Sequence, residues 1–313
     1  MRSPTRVSAP AEPLAAATLA SSVTTTRTAP EVPARTRRIT RKLWWSLALI
    51  ALLCLVALFA PVLAPHNPNA QLDIINLKNH PPSLAYPFGT DQYSRDLLSR
   101  MLFGARISLS VAMLAVLLAA TVGTAYGLLA GYAGGRLDAI MMRLLDACLA
   151  IPRVLLLVAV LSLWSPVPLV TLILVIGFTG WFEVSRLVRA EVLAVMQREY
   201  VLAARALGTP GLRIVWRHVL PNVLTPVLVA ATLAVGNVII LEAGLSYLGI
   251  GARAPTASWG SIFFDGSDAF QATWWIVLFP GLAILITVLA FNTFGAALRD
   301  ALDPHQLAGG KSP

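Results

Sequence analysis

The stretch Ile107–Leu129, ISLSVAMLAVLLAATVGTAYGLL, runs for 23 residues without a charged side chain. The hydrocarbon core of a bilayer is ~30 Å thick and is crossed by ~20 apolar residues in an α-helix. In lipid the backbone must satisfy its own hydrogen bonds, so a single run of this kind is a helix. Five further apolar runs flank it: Leu43–Leu63, Ala147–Leu163, Pro168–Phe182, Val223–Leu241 and Trp274–Leu298. Pro168–Phe182 is the shortest and must borrow flanking residues to cross. The composition agrees, with 313 residues of which 57% are apolar and 12% charged, at a mean hydropathy of +0.73. Soluble domains carry about 25% charged residues, so a water-soluble enzyme is excluded. The expected fold is an all-α polytopic bundle of six spans whose first partner is the lipid bilayer.

Residues 1–42 are Ala-, Pro-, Thr-, Ser- and Arg-rich with few large apolar side chains, which predicts a disordered tail. The run that follows is too long for a signal-peptide core and lacks a small-residue cleavage site, so a retained first span is expected over 43–65. Six spans put both termini on one side. Lys and Arg favour the cytoplasmic side, and 18 of the 24 fall on the side of the termini. The other side has Lys78, Arg95, Arg100, Arg106 and Arg253, matched by Asp73, Asp91, Asp96, Asp265 and Asp268. Both termini are therefore expected in the cytoplasm. The net charge of +9 is topological, and no nucleic acid is expected as a partner. The organisation reads as tail 1–42, span 43–65, external loop 66–103, a bundle of five spans over 104–298 and a cytoplasmic tail 299–313. Within the external loop, Ser94–Phe103 puts Leu97, Leu98, Met101 and Leu102 on one stripe. It reads as an interfacial helix or as an extension of the second span. Trp44, Trp45, Trp164, Trp274 and Trp275 sit at span ends, as an aromatic belt requires.

The largest ordered polar segment is cytoplasmic, about 183–222. Its stretch 191–211, EVLAVMQREYVLAARALGTPG, has no Pro or Gly before Gly208 and is rich in helix formers. Leu193, Met196, Tyr200, Ala203, Ala204 and Leu207 recur at three- and four-residue steps. Gly208-Thr-Pro-Gly stops this helix and starts a second over 212–219. Two short helices then meet at an elbow beneath the membrane. Two readings stand: a connector packed on its own bundle, or a docking surface for a cytoplasmic partner. Mere connectors are usually far shorter.

The strings EYVLAARALG and RHVLPN in this segment resemble the EAA loop of binding-protein-dependent ABC-importer permeases. From Tyr86 to Pro304 the chain is similar to the C-type subunit of the dipeptide/oligopeptide/nickel permease family. The strings FGTDQYSRDLLSRMLFGARISLSV, GLLAGYAGGRLDAIMMRLLD, LEAGLSYLGIG, PTASWG, FPGLAILITVLAFNTFG and LRDALDP follow in the family's order. The resemblance implies a type I ABC-importer transmembrane domain over 104–298, with a coupling loop at about 189–220. It implies that Ala203, Ala204 and Gly208, with neighbouring Glu199, Tyr200, Arg205 and Leu207, seat the loop in an ATPase. It also implies the partners: two ABC ATPase subunits, a homologous permease subunit and an extracytoplasmic substrate-binding protein. Leu202 stands where the loop's name-giving glutamate belongs, and Glu199 lies one turn earlier. The family's substrates include dipeptides, oligopeptides, nickel chelates and glutathione.

The chain carries no ATPase of its own. Its one Gly-Lys-Ser, Gly310-Lys311-Ser312, has neither the glycine-rich turn nor a following helix. The four histidines, His66, His80, His218 and His305, fall outside the spans without metal-ligand spacing, and Cys54 and Cys148 sit in apolar runs. No catalytic residue, metal or cofactor is expected. Gly123, Gly127, Gly131 and Gly135 recur every fourth residue, which packs helices closely either within this chain or against the partner permease. Arg153, after Pro152 inside the third span, is a candidate for the translocation path; snorkelling or pairing with Asp146 are the alternatives. Glu183 and Glu242 read as solvated span ends, with Glu242 also a candidate for the translocation path, where it would shape the outer gate. The competing functional class is a secondary transporter, which needs intramembrane ionisable groups and often an internal repeat.

Overall fold

A computed structural model describes residues 34–252, 256–267 and 272–302. Most of the N-terminal tail, Arg253, Asp268, His305 and Gly310-Lys311-Ser312 lie outside the described residues. The chain divides after Arg37, and apart from the first turn of α1 the elements below belong to the unit that begins at Arg38.

Every described element is helical, with one isolated bridge between Thr90 and Asp96. The first run forms α1 (Ala34–Leu58) and the short α2 (Ala60–Leu63). A turn-rich loop leads to α3 (Leu97–Ala133), then α4 (Gly135–Leu149), α5 (Arg153–Leu161) and α6 (Leu169–Met196). The elbow is α7 (Glu199–Ala206) and α8 (Gly211–Ile214), which continues through a π-helical turn, Val215–Val219, into α9 (Leu220–Tyr247). The last two helices are α10 (Trp259–Ser267) and α11 (Trp274–Leu302). Five helices are long and apolar enough to cross a membrane, and α4 with α5 makes a sixth if the bent pair counts as one span.

The third expected span is therefore not a straight helix. α4 and α5 meet at 74°. Pro152 has no N–H to donate, and it pushes Ile151 toward extended backbone. At 1.5 Å per residue, the nine residues of α5 reach only about 14 Å. Arg189 grips Asp138 of α4 with Nε and Nη2 at 2.5 and 2.6 Å, and Arg186 reaches Asp146 at 2.5 Å. These contacts tie α4 to α6 across the bend.

Ser94–Phe103 does not form a separate helix. Asp96 caps α3 by accepting the Ser99 N–H at 3.0 Å, and the apolar stripe continues into the span. Leu97 and Met101 are buried, and the indole of Trp259 on α10 donates to the Met101 carbonyl at 3.1 Å. The stripe thus covers protein rather than lipid. Trp164 and Trp274 stay exposed near helix ends, Trp44 and Trp45 are exposed in the middle of α1, and Trp275 is buried and donates to the Thr90 carbonyl at 3.2 Å.

The glycine repeat packs inside the chain. A Cβ built on Gly123, Gly127 or Gly131 would fall 2.6, 2.7 or 2.9 Å from the Cβ of Val184, Val188 or Val192 on α6. Gly135 has open space around it and a φ of +56°, and with Gly134 (φ +62°) it ends α3 and starts α4. The family of four is thus three packing glycines and one turn. Replacing Gly127 by Val is expected to destabilise the protein by on the order of 2–3 kcal/mol, because backbone opposes the new side chain. Gly244→Ala, inside α9 with nothing within 4 Å, should hold or slightly raise the thermal midpoint in detergent.

Candidate functional site

The elbow hangs from a valine-rich cluster. Val188, Val192, Val195 and Met196 of α6 enclose Val201 of α7, Ile214 of α8 and Val219. Gly208 turns the chain at φ +74°, a region that glycine enters without steric cost. Its N–H donates to the Arg205 carbonyl at 2.9 Å, and that of Thr209 to the Ala204 carbonyl at 3.1 Å. With Val201 and Ile214 turned inward, the opposite face is left bare: Leu207, Leu212 and Trp216 are 86, 75 and 67% exposed. Glu199, Tyr200, Leu202, Ala203 and Arg205 share that exposure, and Ala204 is half-buried.

The helix expected to run unbroken to Leu207 is interrupted. α6 ends at Met196, Gln197 and Arg198 leave helical pairing, and α7 starts at Glu199. No glycine or proline marks the break. It turns α7 so that Val201 enters the cluster, which splits the expected stripe: Met196 is buried and Leu207 is exposed.

Arg153 lies elsewhere. Its Nε donates to the Thr179 hydroxyl at 3.3 Å and its Nη2 to the Ile176 carbonyl at 3.2 Å. Gly180 leaves the space the guanidinium occupies, since a Cβ there would sit 3.1 Å from Nη2. Asp146 pairs with Arg186, so it is not the partner of Arg153. Arg153 borders a cavity of about 200 Å³ among α3, α5, α6 and α9, together with Glu183 and Asn237. Glu183 is exposed, in keeping with a solvated side chain, and it also borders this cavity.

Glu242, by contrast, is not a solvated span end. It is 0% exposed on α9. The Ser246 hydroxyl donates to its Oε1 at 2.8 Å and the Ser108 hydroxyl of α3 to its Oε2 at 3.2 Å. Ser108 in turn accepts the Trp259 N–H at 3.2 Å, so one carboxyl ties α3, α9 and the start of α10 together. Glu242 does not line the Arg153 cavity, and neither residue meets the elbow.

Residues 123–307 match the family described as binding-protein-dependent transport system inner membrane component. The chain belongs to this family. Residues 41–82 of the permease also match the N-terminal TM domain of oligopeptide transport permease C. It is 40% identical over 263 residues to the dipeptide transport system permease protein DppC of Alkalihalophilus pseudofirmus, covering 82% of this chain and 84% of the relative. Against the oligopeptide transport system permease protein OppC of Bacillus subtilis it is 41% identical over 258 residues, 82% of this chain and 84% of the relative. With the probable D,D-dipeptide transport system permease protein DdpC of Escherichia coli it shares 40% over 266 residues, 85 and 88% of the two chains. The permease is accordingly a multi-pass inner-membrane component of a binding-protein-dependent ABC importer, and its relatives are transport proteins rather than enzymes.

The sequence reading missed one cluster in the permease. Asp91, fully buried, accepts from Arg95 Nε and Arg100 Nη1, each at 2.6 Å. Asp265 of α10 accepts from Arg100 Nη2 at 2.9 Å and from Arg95 Nη2 at 3.4 Å. The charges were visible as a matched set, but nothing in their spacing joins Asp265 to residues more than 160 positions away. Removing one member of a buried pair leaves an uncompensated charge. Asp91→Ala is therefore expected to cost about 3 kcal/mol, with Asp265 retaining part of the pairing. Faster proteolysis of the loop before α3 would register it, and wild-type resistance would contradict it.

Proposed function

We propose that the permease is the C-type membrane subunit of an ATP-driven importer for peptides or related small solutes. It pairs with a homologous permease, two ABC ATPase subunits and an extracytoplasmic substrate-binding protein. Its termini and elbow face the cytoplasm, in keeping with the Lys and Arg distribution. The peptide substrate rests on the names of its relatives.

The observation that carries this reading is the bare apolar face of the elbow. Leu207, Leu212 and Trp216 stand exposed beside a cluster that is itself closed. Contiguous exposed apolar side chains mark interaction sites. Glu199, Tyr200, Ala203, Ala204, Arg205, Leu207 and Gly208 form the surface that an ATPase grips. Leu202 is exposed on α7, so the missing glutamate is replaced there by an apolar contact, and Glu199 supplies the nearest acid.

Mechanism follows from two-state coupling. ATP binding draws the ATPases together and moves the elbow. Val201 and Ile214 transmit that motion to α6 and α9, because a packed core moves as a unit. The nucleotide shifts the permease between inward- and outward-open states only through its differential affinity for those states of the complex. Arg153 lies on the solute path. Glu242 holds the outer gate by keeping α3, α9 and α10 in register.

Gly208→Asp tests the reading. Space around Gly208 is open, and Asp is among the residues that tolerate a positive φ, so insertion and folding should survive. A charge on the gripping face should lower ATP-driven uptake in proteoliposomes at least about tenfold, the effect of ~1.4 kcal/mol lost at the contact. Normal uptake with assembled ATPase would refute the docking role. Uptake by the permease alone on a proton gradient would establish a secondary transporter instead.

A further inference from the structure

The Arg153 cavity lies half-way along its walls. Gly180 is eleven residues into α6, about 16 Å from its start, and Ala234 is fourteen residues into α9, about 21 Å. Ionisable side chains at such depth are costly and persist where they face water or serve function. The walls keep the space open with small side chains, among them Ala119, Ala234 and Gly180. Its volume of about 200 Å³ is well above what one water needs.

The polar groups are of opposite sign and held apart. Arg153 uses two of its five N–H donors on Thr179 and Ile176, leaving three. Glu183, exposed on α6, borders the same cavity without closing an ion pair on Arg153, and the Asn237 amide offers both a donor and an acceptor. Arg153 is also the first residue of α5, whose start carries no side-chain cap. The uncapped N–H groups of that half-helix add positive partial charge at the bend. Discontinuous helices that present such ends near the midplane are a recurring way to hold anionic groups of a solute.

We propose that this cavity is a solute site within the permease that takes a small zwitterion, its carboxylate on Arg153 and its ammonium on Glu183, with Asn237 bonding the neutral backbone between them. The proposal rests on the importer reading and adds to it a site in this chain that selects for two free, opposite charges. Arg153 and Glu183 then act as specificity determinants after the binding protein has released its load.

A protection experiment tests this without ATP turnover. The assembled complex, lacking the binding protein, carries Cys54→Ser, Cys148→Ser and either Ala234→Cys or Ala119→Cys in this chain. Methyl methanethiosulfonate modifies the new thiol, and the mass of this chain reports the rate. Saturating alanylalanine is expected to slow modification about tenfold, whereas its N-acetyl and C-terminal amide forms slow it less than about twofold. Arg153→Gln should remove the protection, and Glu183→Gln should let the N-acetyl form protect as well as the parent. Failure of the reagent to reach either thiol, no protection, equal protection by all three compounds, or protection that survives Arg153→Gln would each overturn the proposal. ATP-driven uptake by the wild-type complex is measured separately, so loss of the importer reading would be recognised on its own.

Discussion

α3 and α6 touch along their backbones because three glycines on one helix accept three valines of the other. Lipid gives two apolar helices no hydrophobic reason to associate, so close packing has to supply it. Gly123, Gly127 and Gly131 meet Val184, Val188 and Val192 in register, and Gly177 of α6 returns the contact against Leu118 of α3. The fixed α6 then carries two other structures. At one end its valines enclose Val201 and Ile214, which suspend the elbow. In its middle, Ile176, Gly180 and Glu183 form one side of the Arg153 cavity.

Polar groups inside the bundle fall into two kinds. Glu242 has hydroxyl donors on both oxygens, and Asp91 takes two arginines on Oδ2 and two backbone N–H groups on Oδ1. Satisfied groups of this sort join elements distant in sequence and make one arrangement unique. Arg153 and Glu183 differ, since their charges share a cavity and do not meet. The contrast separates groups that hold the fold from groups that remain free to act.

Much of this was legible from sequence. Five apolar runs became crossing helices because length and hydropathy alone set that outcome in lipid. The chain reversal at Gly208 was legible because glycine is the residue that enters a positive φ freely. Three things were not. The break between Met196 and Glu199 carries no local signal and follows from where Val201 packs. The 74° bend is announced by Pro152, but the Arg189–Asp138 clasp beside it joins residues 51 positions apart, which spacing does not reveal. The burial of Glu242 was hidden because its donors come from Ser108 and Ser246, which pattern alone does not bring together.

The bare face of the elbow also bears on the fate of a subunit made in excess. Leu207, Leu212 and Trp216 face solvent until something covers them. Uncovered apolar surface of that kind promotes self-association. On the docking role proposed above, a chain made without whatever seats on its elbow is left prone to clump with its own copies.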